Sequence, residues 1–573
     1  MGSYLLIDTQ SGKKTLLYRN GREIRLHSAY DPVKEAERSV SVFRKGRASF
    51  LIVSGIGLGF HIDALKKKYP DTPILAIEPE REVIQAATAT YPEHLHGVTL
   101  ITEGSDLGRI FESLDMAEFF GVSHYIHNPS YQIRKEFYDR TIADINQYIS
   151  SKVSDLLTRF EFEALWIENI FSNIHRLASS AQVKDLFGRF RGYPGIIVSA
   201  GPSLRKNIRH LQAMRERAVI VCVDTAAKVL EKMRVTPHIL MTLDAQKHSI
   251  RHFLGLRDHK PVLLADHVCS PKVLRLYKGR KILSTTSKYY TDMQGSFKRE
   301  TTPIMDWIEQ YLPPIGDLQS GGSVATSAFD LLLNLGCDPI ILVGQDLAYT
   351  GREIHCSGTH HNDDWLPGIH RFMNIDTINQ CVIRKRKIKY IEAYGASGTV
   401  ISDFIFDLYR GWFMDSARKV SVTVINATEG GGKIANTSEE SLQSLAKRLP
   451  KKSPDPDAIL DGIFSDMKPG SLNDLADAIE KAITGIRGIE TRAAGTAAAD
   501  IEACAALIES IEESDLRLMY RPALRKANLY LTRKKVDPDK GLPLLMNEVT
   551  SASQKLASLL AQSLERIKSL GIQ

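Results

Sequence analysis

The chain lacks the features that would place it in several large functional classes. Among 573 residues, no apolar run approaches the ~18 residues a membrane-spanning helix needs. The start, MGSYLLIDTQSGKK, has neither a basic segment leading into a long apolar one nor a small-residue cleavage motif, so no secretion signal is read and a cytoplasmic location is expected. Cysteines are few: Cys222, Cys269, Cys337, Cys356, Cys381 and Cys504 are scattered, without the paired spacing of a zinc site or a disulfide framework. Neither charge dominates. The 74 Lys and Arg against 67 Asp and Glu leave +7, and the one compact basic block, Arg384-Lys385-Arg386-Lys387, reads as a solvated face, so no nucleic-acid partner is expected. No repeat of solenoid period is present.

What is present is an α/β rhythm over a chain too long for one core. Residues 1–130 alternate strand-like runs (GREIRLHSA, FLIVSG, PILAIEPE, VTLIT) with helical ones and read as a Rossmann-like α/β domain. Residues 131–192 carry apolar positions at three- and four-residue spacing and read as connecting helices. Residues 193–445 return to short apolar runs, GIIVSA, AVIVCVD, HILMTLD, PVLLAD, KILSTT, PIILVGQD and VSVTVIN. Their polar ends suit parallel strands buried on both faces with a ligand crevice at their C-terminal edge. Residues 446–457 hold the proline-rich LPKKSPDPD, read as an exposed linker, and residues 458–573 read as an Ala- and Leu-rich helical domain.

Two strand–glycine–helix turns compete for the active site. The first is LIVSGIGLGF, residues 51–60, with Gly55, Gly57 and Gly59; the second is GIIVSAGPSL, residues 195–204, where Gly201, Pro202 and Ser203 open the next helix and Ser203 is placed to cap it. Around the second gather further polar strand ends: Asp224 and Thr225 after AVIVCV, Asp244 after HILMTL, Gly322 and Ser323 before a small-residue helix, and Gln345, Asp346, Tyr349 and Thr350 after PIILVG. Their agreement favours a nucleotide site on the central sheet. HCSGTHHNDD, residues 355–364, adds His355, His360 and His361 in a glycine-bearing loop directly after Asp346, able to bring an imidazole to a hydroxyl or to form a polar lid. His360 and Asp346 are taken as the catalytic pair and no metal ligand set is read there.

The segments GIIVSAGPSL, AVIVCVDTA, HILMTLD, GGSVATSAFDLLLNLGCDPIILVGQDLAYTG and VINATEGG, in this order, resemble the motility-associated Maf glycosyltransferases, whose core is similar to bacterial sialyltransferases. The resemblance implies transfer of a sialic-, pseudaminic- or legionaminic-type nonulosonic acid from a CMP donor to Ser or Thr of flagellin, with no cofactor beyond the donor. It places Gly201-Pro202-Ser203 at the donor phosphate, Asp224 by the nucleotide where the sialyltransferases have asparagine, Gly322 and Ser323 near the donor, and Gln345, Asp346 and Tyr349 around cytidine and phosphate. The chain departs from the sialyltransferases near Glu392-Ala393-Tyr394-Gly395, where their catalytic histidine has no counterpart. LIVSGIGLGF with Glu78 of PILAIEPE resembles the first two motifs of S-adenosylmethionine methyltransferases, yet no acceptor-side motif follows, and a packing role is expected for this first turn. Two rivals stay open: a pterin-type diphosphotransferase using ATP and magnesium, and a non-catalytic flagellin-binding chaperone.

Overall fold

The computed structural model describes residues 3–46, 48–105, 107, 110, 121–291, 297–396, 398–467, 470–496, 500–534 and 538–570. They form a mixed α/β protein with parallel sheets and a helical C-terminal region. Two compact units are present, Met1–Leu157 with Tyr290–Lys298, and Thr158–Tyr289 with Arg299–Gln573. The boundary falls within the 39-residue helix Lys135–Asn173.

The first unit opens with an antiparallel sheet, Ser3–Asp8, Lys14–Arg19 and Glu23–Arg25, followed by a four-stranded parallel sheet. Its order is Val98–Ile101, Ile74–Ile77, Phe50–Ser54, Val122–Ile126. The strands Phe50–Ser54 and Ile74–Ile77 are buried along their whole length, as an apolar run without alternation demands when helices cover both faces. The chain reverses its direction across the sheet between Phe50–Ser54 and Val122–Ile126, and the first glycine turn leaves the sheet at that point.

The second unit is built on a larger, mainly parallel sheet. From Gly195–Val198 it runs outwards through Val219–Val223, Ile239–Thr242, Val262–Asp266 and Lys281–Thr291; on the other side of Gly195–Val198 lie Ile340–Val343 and then Val424–Asn426. The order therefore reverses between Gly195–Val198 and Ile340–Val343, and their ends carry Gly201-Pro202-Ser203 and Gln345-Asp346. Such a switch point is where open α/β sheets leave a crevice. One apolar cluster runs from this sheet into the C-terminal helices, joining residues such as Ile197 and Leu342 to Leu475, Ile486 and Leu560.

Three sequence expectations change locally. VSVTVIN is a strand only over Val424–Asn426. The helical run after residue 131 ends in a short 3-10 turn, Ile174–Ala178, and is followed by the two-residue strand Ala181–Gln182 at the sheet edge. Residues 449–455 have no regular structure but are tied down: the Lys452 amide donates to Glu216 O (2.8 Å), the Tyr193 hydroxyl to Pro454 O (2.8 Å), and Arg215 pairs with Asp457 (2.6 Å).

Candidate active site on the central sheet

At the switch point the protein supplies its own anion. Asp346 ends the strand Ile340–Val343 beyond Gly344 and is 2% exposed. Its carboxylate accepts from the Ser203 hydroxyl (2.6 Å), the Ser203 amide (3.2 Å) and the Thr350 hydroxyl (2.5 Å). A helix N-terminus favours a negative charge, and at Leu204–Met214 the Asp346 side chain holds that place. Ser203 has helical backbone angles and makes no side-chain cap of its own helix, contrary to the sequence expectation, because its hydroxyl is committed to Asp346. Burial raises the Asp346 pKa, and the Ser203 and Thr350 bonds pull it back.

Gly201 is fixed by the same contact. A Cβ there would lie 2.0 Å from Asp346 Oδ1 and 2.4 Å from Gly344 O, so only glycine lets the two strand ends close. Ser199 donates to Gln345 Oε1 (2.5 Å), and the Asp346 carbonyl accepts from the Gly432 amide (2.7 Å), which brings the Ala427–Gly432 loop over the turn. The Tyr349 hydroxyl is spent on Asp403 Oδ2 (2.5 Å). Ser203, Asp346 and Thr350 thus form one bonded frame closed against Gly201, while Gln345 and Tyr349 bond outwards to Ser199 and Asp403; Pro202 is buried in the turn.

The neighbouring strand ends are arranged differently. Asp224 begins the helix Asp224–Lys232; its carboxylate accepts from the Thr225 amide (2.7 Å) and from the Thr242 hydroxyl of the next strand (2.7 Å). Asp244, only partly buried, accepts from the Gln246 amide (2.8 Å) and lies 3.7 Å from His248 Nε2. Burial raises both acids' pKa values. Gly322 is exposed with φ +95°, and Ser323 caps the helix Val324–Leu335 by accepting from the Thr326 amide (3.3 Å).

HCSGTHHNDD is not an open loop. The Cys356 amide donates to Ala200 O (2.8 Å) and Arg205 pairs with Glu353 (2.9 Å), strapping the segment across the Ser199–Gly201 turn. His360 then opens the short helix His360–Trp365 and is 4% exposed. Its ring packs 4.1 Å from that of His252 and 3.8 Å from that of His361, while His355 stacks on His361 at 4.7 Å. Burial first, and the neighbouring rings second, lower the pKa of His360 and His355 to about 3 and that of His252 to about 4, so these three rings are uncharged at neutral pH. His361, half-buried like His355, lies within electrostatic reach of both Asp364 and Asp224. Lys228, one helical turn beyond Asp224, approaches Asp363 at 3.5 Å with its side chain largely covered. His248, His252 and Lys228 carried no signal in the sequence; only the fold folds the 3-10 turn Lys247–His252 against the helix His360–Trp365.

The first glycine turn is packed shut. Cβ atoms at Gly55, Gly57 and Gly59 would lie 2.2 Å from Ser130 Cβ, 2.4 Å from His27 Nε2 and 2.6 Å from His94 Cβ. Glu78, at the next strand end, accepts from the Ile56 and Glu80 amides (both 3.1 Å), and burial raises its pKa to about 7.

Residues 168–352 match the family described as 6-hydroxymethylpterin diphosphokinase MptE-like. Two uncharacterized proteins of Treponema pallidum (strain Nichols) are each 24% identical, one over 195 residues (31% of this chain, 49% of that protein), the other over 224 residues (37% of this chain, 74% of that protein). The match thus spans about half the length of the first of these relatives. The structure of MAf glycosyltransferase from Magnetospirillum magneticum AMB-1 superimposes with a TM-score of 0.52 at 16% identity, over 98% of this chain and 90% of that one. Over nearly its whole length, the chain has the fold of a Maf glycosyltransferase.

Proposed function

We propose that the protein is a glycosyltransferase that moves a nonulosonic acid from a CMP donor onto Ser or Thr hydroxyls of flagellin. The observation that carries this reading is the polar C-terminal edge of the central sheet, where Asp224, Asp244, Lys228 and a cluster of histidines adjoin the switch point. In this reading the frame of Gly201, Ser203 and Asp346 shapes the crevice, since the Ser203 amide is already bonded. The donor phosphate is met by Lys228, and Asp244 accepts from donor hydroxyls. As the glycosidic bond to phosphate breaks, CMP leaves with the electron pair, the sugar gains oxocarbenium character, and the acceptor oxygen adds as its proton passes to an imidazole. His361 suits that last role better than His360, because it is less buried and has Asp364 and Asp224 to steady its charged form.

The match to a diphosphokinase-like family over residues 168–352 favours one other reading, transfer of a diphosphate from ATP with magnesium. Calorimetric titration separates them. The transferase reading expects saturable CMP binding, weakened at least tenfold (about 1.4 kcal/mol) in Lys228→Ala with an unchanged melting curve. Binding of ATP with magnesium and none of CMP would replace it by the second reading. Intact mass of flagellin from cells with and without this protein then tests the acceptor.

A further inference from the structure

The first unit also has a switch point, and histidines fill it. Between Phe50–Ser54 and Val122–Ile126, where an open α/β sheet ordinarily leaves room for a ligand, three imidazoles converge from separate elements. His27 follows the strand Glu23–Arg25, His61 lies in the helix Phe60–Lys68, and His127 follows Val122–Ile126. All three are buried, and one ring nitrogen from each lies within 4.8 Å of the other two; among the described residues no other group of His, Cys, Asp and Glu meets that condition.

Their hydrogen bonds fit ligands held from behind. His61 Nε2 bonds to Gly55 O (2.9 Å), which leaves its Nδ1 lone pair buried without a partner. His127 Nδ1 bonds to the Ser130 hydroxyl (2.8 Å) and its ring also bonds the Leu26 backbone, so ligation by Nδ1 exchanges the Ser130 bond for a coordinate bond. His27 Nε2 receives the Leu58 amide (2.8 Å), so ligation by that nitrogen exchanges one hydrogen bond for a coordinate bond. Rings oriented by carbonyls and hydroxyls are the usual second layer of a metal site. Tetrahedral ligation at about 2.1 Å sets ligand nitrogens about 3.4 Å apart, so loading turns the His61 and His127 rings, stacked at 4.4 Å, towards a common point. Glu78 on the Ile56 amide places a carboxylate at the same turn.

We infer that His27, His61 and His127 bind a divalent cation of the zinc class through three neutral imidazoles, with a fourth position left for water or a further ligand. The cation locks the first glycine turn to the strand Val122–Ile126, and the site is independent of whatever the central sheet binds.

The test uses the full chain, stripped with a chelator and titrated with zinc against a chromophoric competitor, then with cobalt. One equivalent of zinc, a tetrahedral cobalt spectrum, and at least tenfold weaker zinc binding in His61→Gln and His127→Gln, each folded by circular dichroism, are expected. His252→Gln, in the other histidine cluster, should bind zinc as the wild type does. X-ray absorption of the zinc-loaded wild type should show imidazole scattering, and it decides the matter if the variants do not fold. No stoichiometric uptake, undiminished binding in folded His61→Gln, loss in His252→Gln, or an absorption spectrum without imidazole would each overturn the inference.

Discussion

The two glycine turns begin alike and are put to opposite uses. Each leaves a parallel sheet where the strand order reverses, and each is filled by side chains of its own unit rather than left open. In the first unit the filling is by rings and a hydroxyl: His27, His94 and Ser130 press on the three glycines, and Glu78 takes the Ile56 amide. In the second it is a carboxylate, Asp346, on the start of the following helix. What differs is the surroundings. The central sheet continues on one side into the strand ends of Asp224, which is buried and bonded by Thr225 and Thr242, and of Asp244, which is half-buried and lies 3.7 Å from His248, with Lys228 and His361 beside them. A glycine-rich turn therefore marks a place where backbone must come close to something, and the neighbouring strand ends tell whether that something is a ligand.

The comparison is sharpest where a methyl group is added. Gly201→Ala should have the largest effect, because its Cβ meets both Asp346 Oδ1 and a backbone carbonyl; a loss of about 3 kcal/mol or more in urea unfolding is expected. Gly57→Val should cost somewhat less, since His27 can swing aside although the backbone has φ +50°, and CMP affinity of the folded protein should stay unchanged. Saturable S-adenosylmethionine binding by the wild type, absent from Gly57→Val, would make the first turn a ligand site and break the account of it as a packed turn.

Asp346→Asn comes next. It weakens bonds from the Ser203 amide, the Ser203 hydroxyl and Thr350, and about 2 kcal/mol of stability should go, most of it recovered by no ligand. Loss of CMP affinity at full stability would instead put Asp346 in direct contact with the donor.

The pH dependence is the subtlest effect. His252, His355 and His360 have folded pKa values of about 4, 3 and 3, below the ordinary 6.5 of the unfolded chain. Below pH 6.5 the unfolded state therefore binds more protons, and these groups' contribution to stability falls as the pH drops from 6.5 towards 4. Asp266 and Asp330, raised to about 6, act in the opposite sense between pH 4 and 6. His360→Gln should flatten the acid-side loss in a series of urea titrations, and an unchanged slope would show that the cluster is solvated.

Much of the fold was legible because buried parallel strands cannot alternate. GIIVSA, AVIVCVD, HILMTLD and PVLLAD are apolar throughout and stop at a polar residue, and each is a strand of the central sheet. The site was legible only as a set of strand ends. Nothing local says that Ser203 and Asp346, 143 residues apart, bond to each other, or that His252 lies against His360. The same limit hid the histidines of the first unit, which come from a loop, a helix and a strand end with no ligand spacing in sequence. In LPKKSPDPD residues 449–455 have no regular structure, while Pro456 opens the helix Pro456–Asp466, and the backbone bonds of Lys452 and Pro454 depend on partners near residues 193 and 216.

The central claim is that the strand ends of Asp224 and Asp244, and neither glycine turn, carry nucleotide binding. Calorimetric titration of CMP into the wild type, Lys228→Ala and Gly57→Val, with melting curves in parallel, tests it most directly. The account predicts saturable binding to the wild type and Gly57→Val, and at least tenfold weaker binding to a stably folded Lys228→Ala protein (about 1.4 kcal/mol). CMP binding that survives Lys228→Ala intact, or that disappears with Gly57→Val, would contradict it.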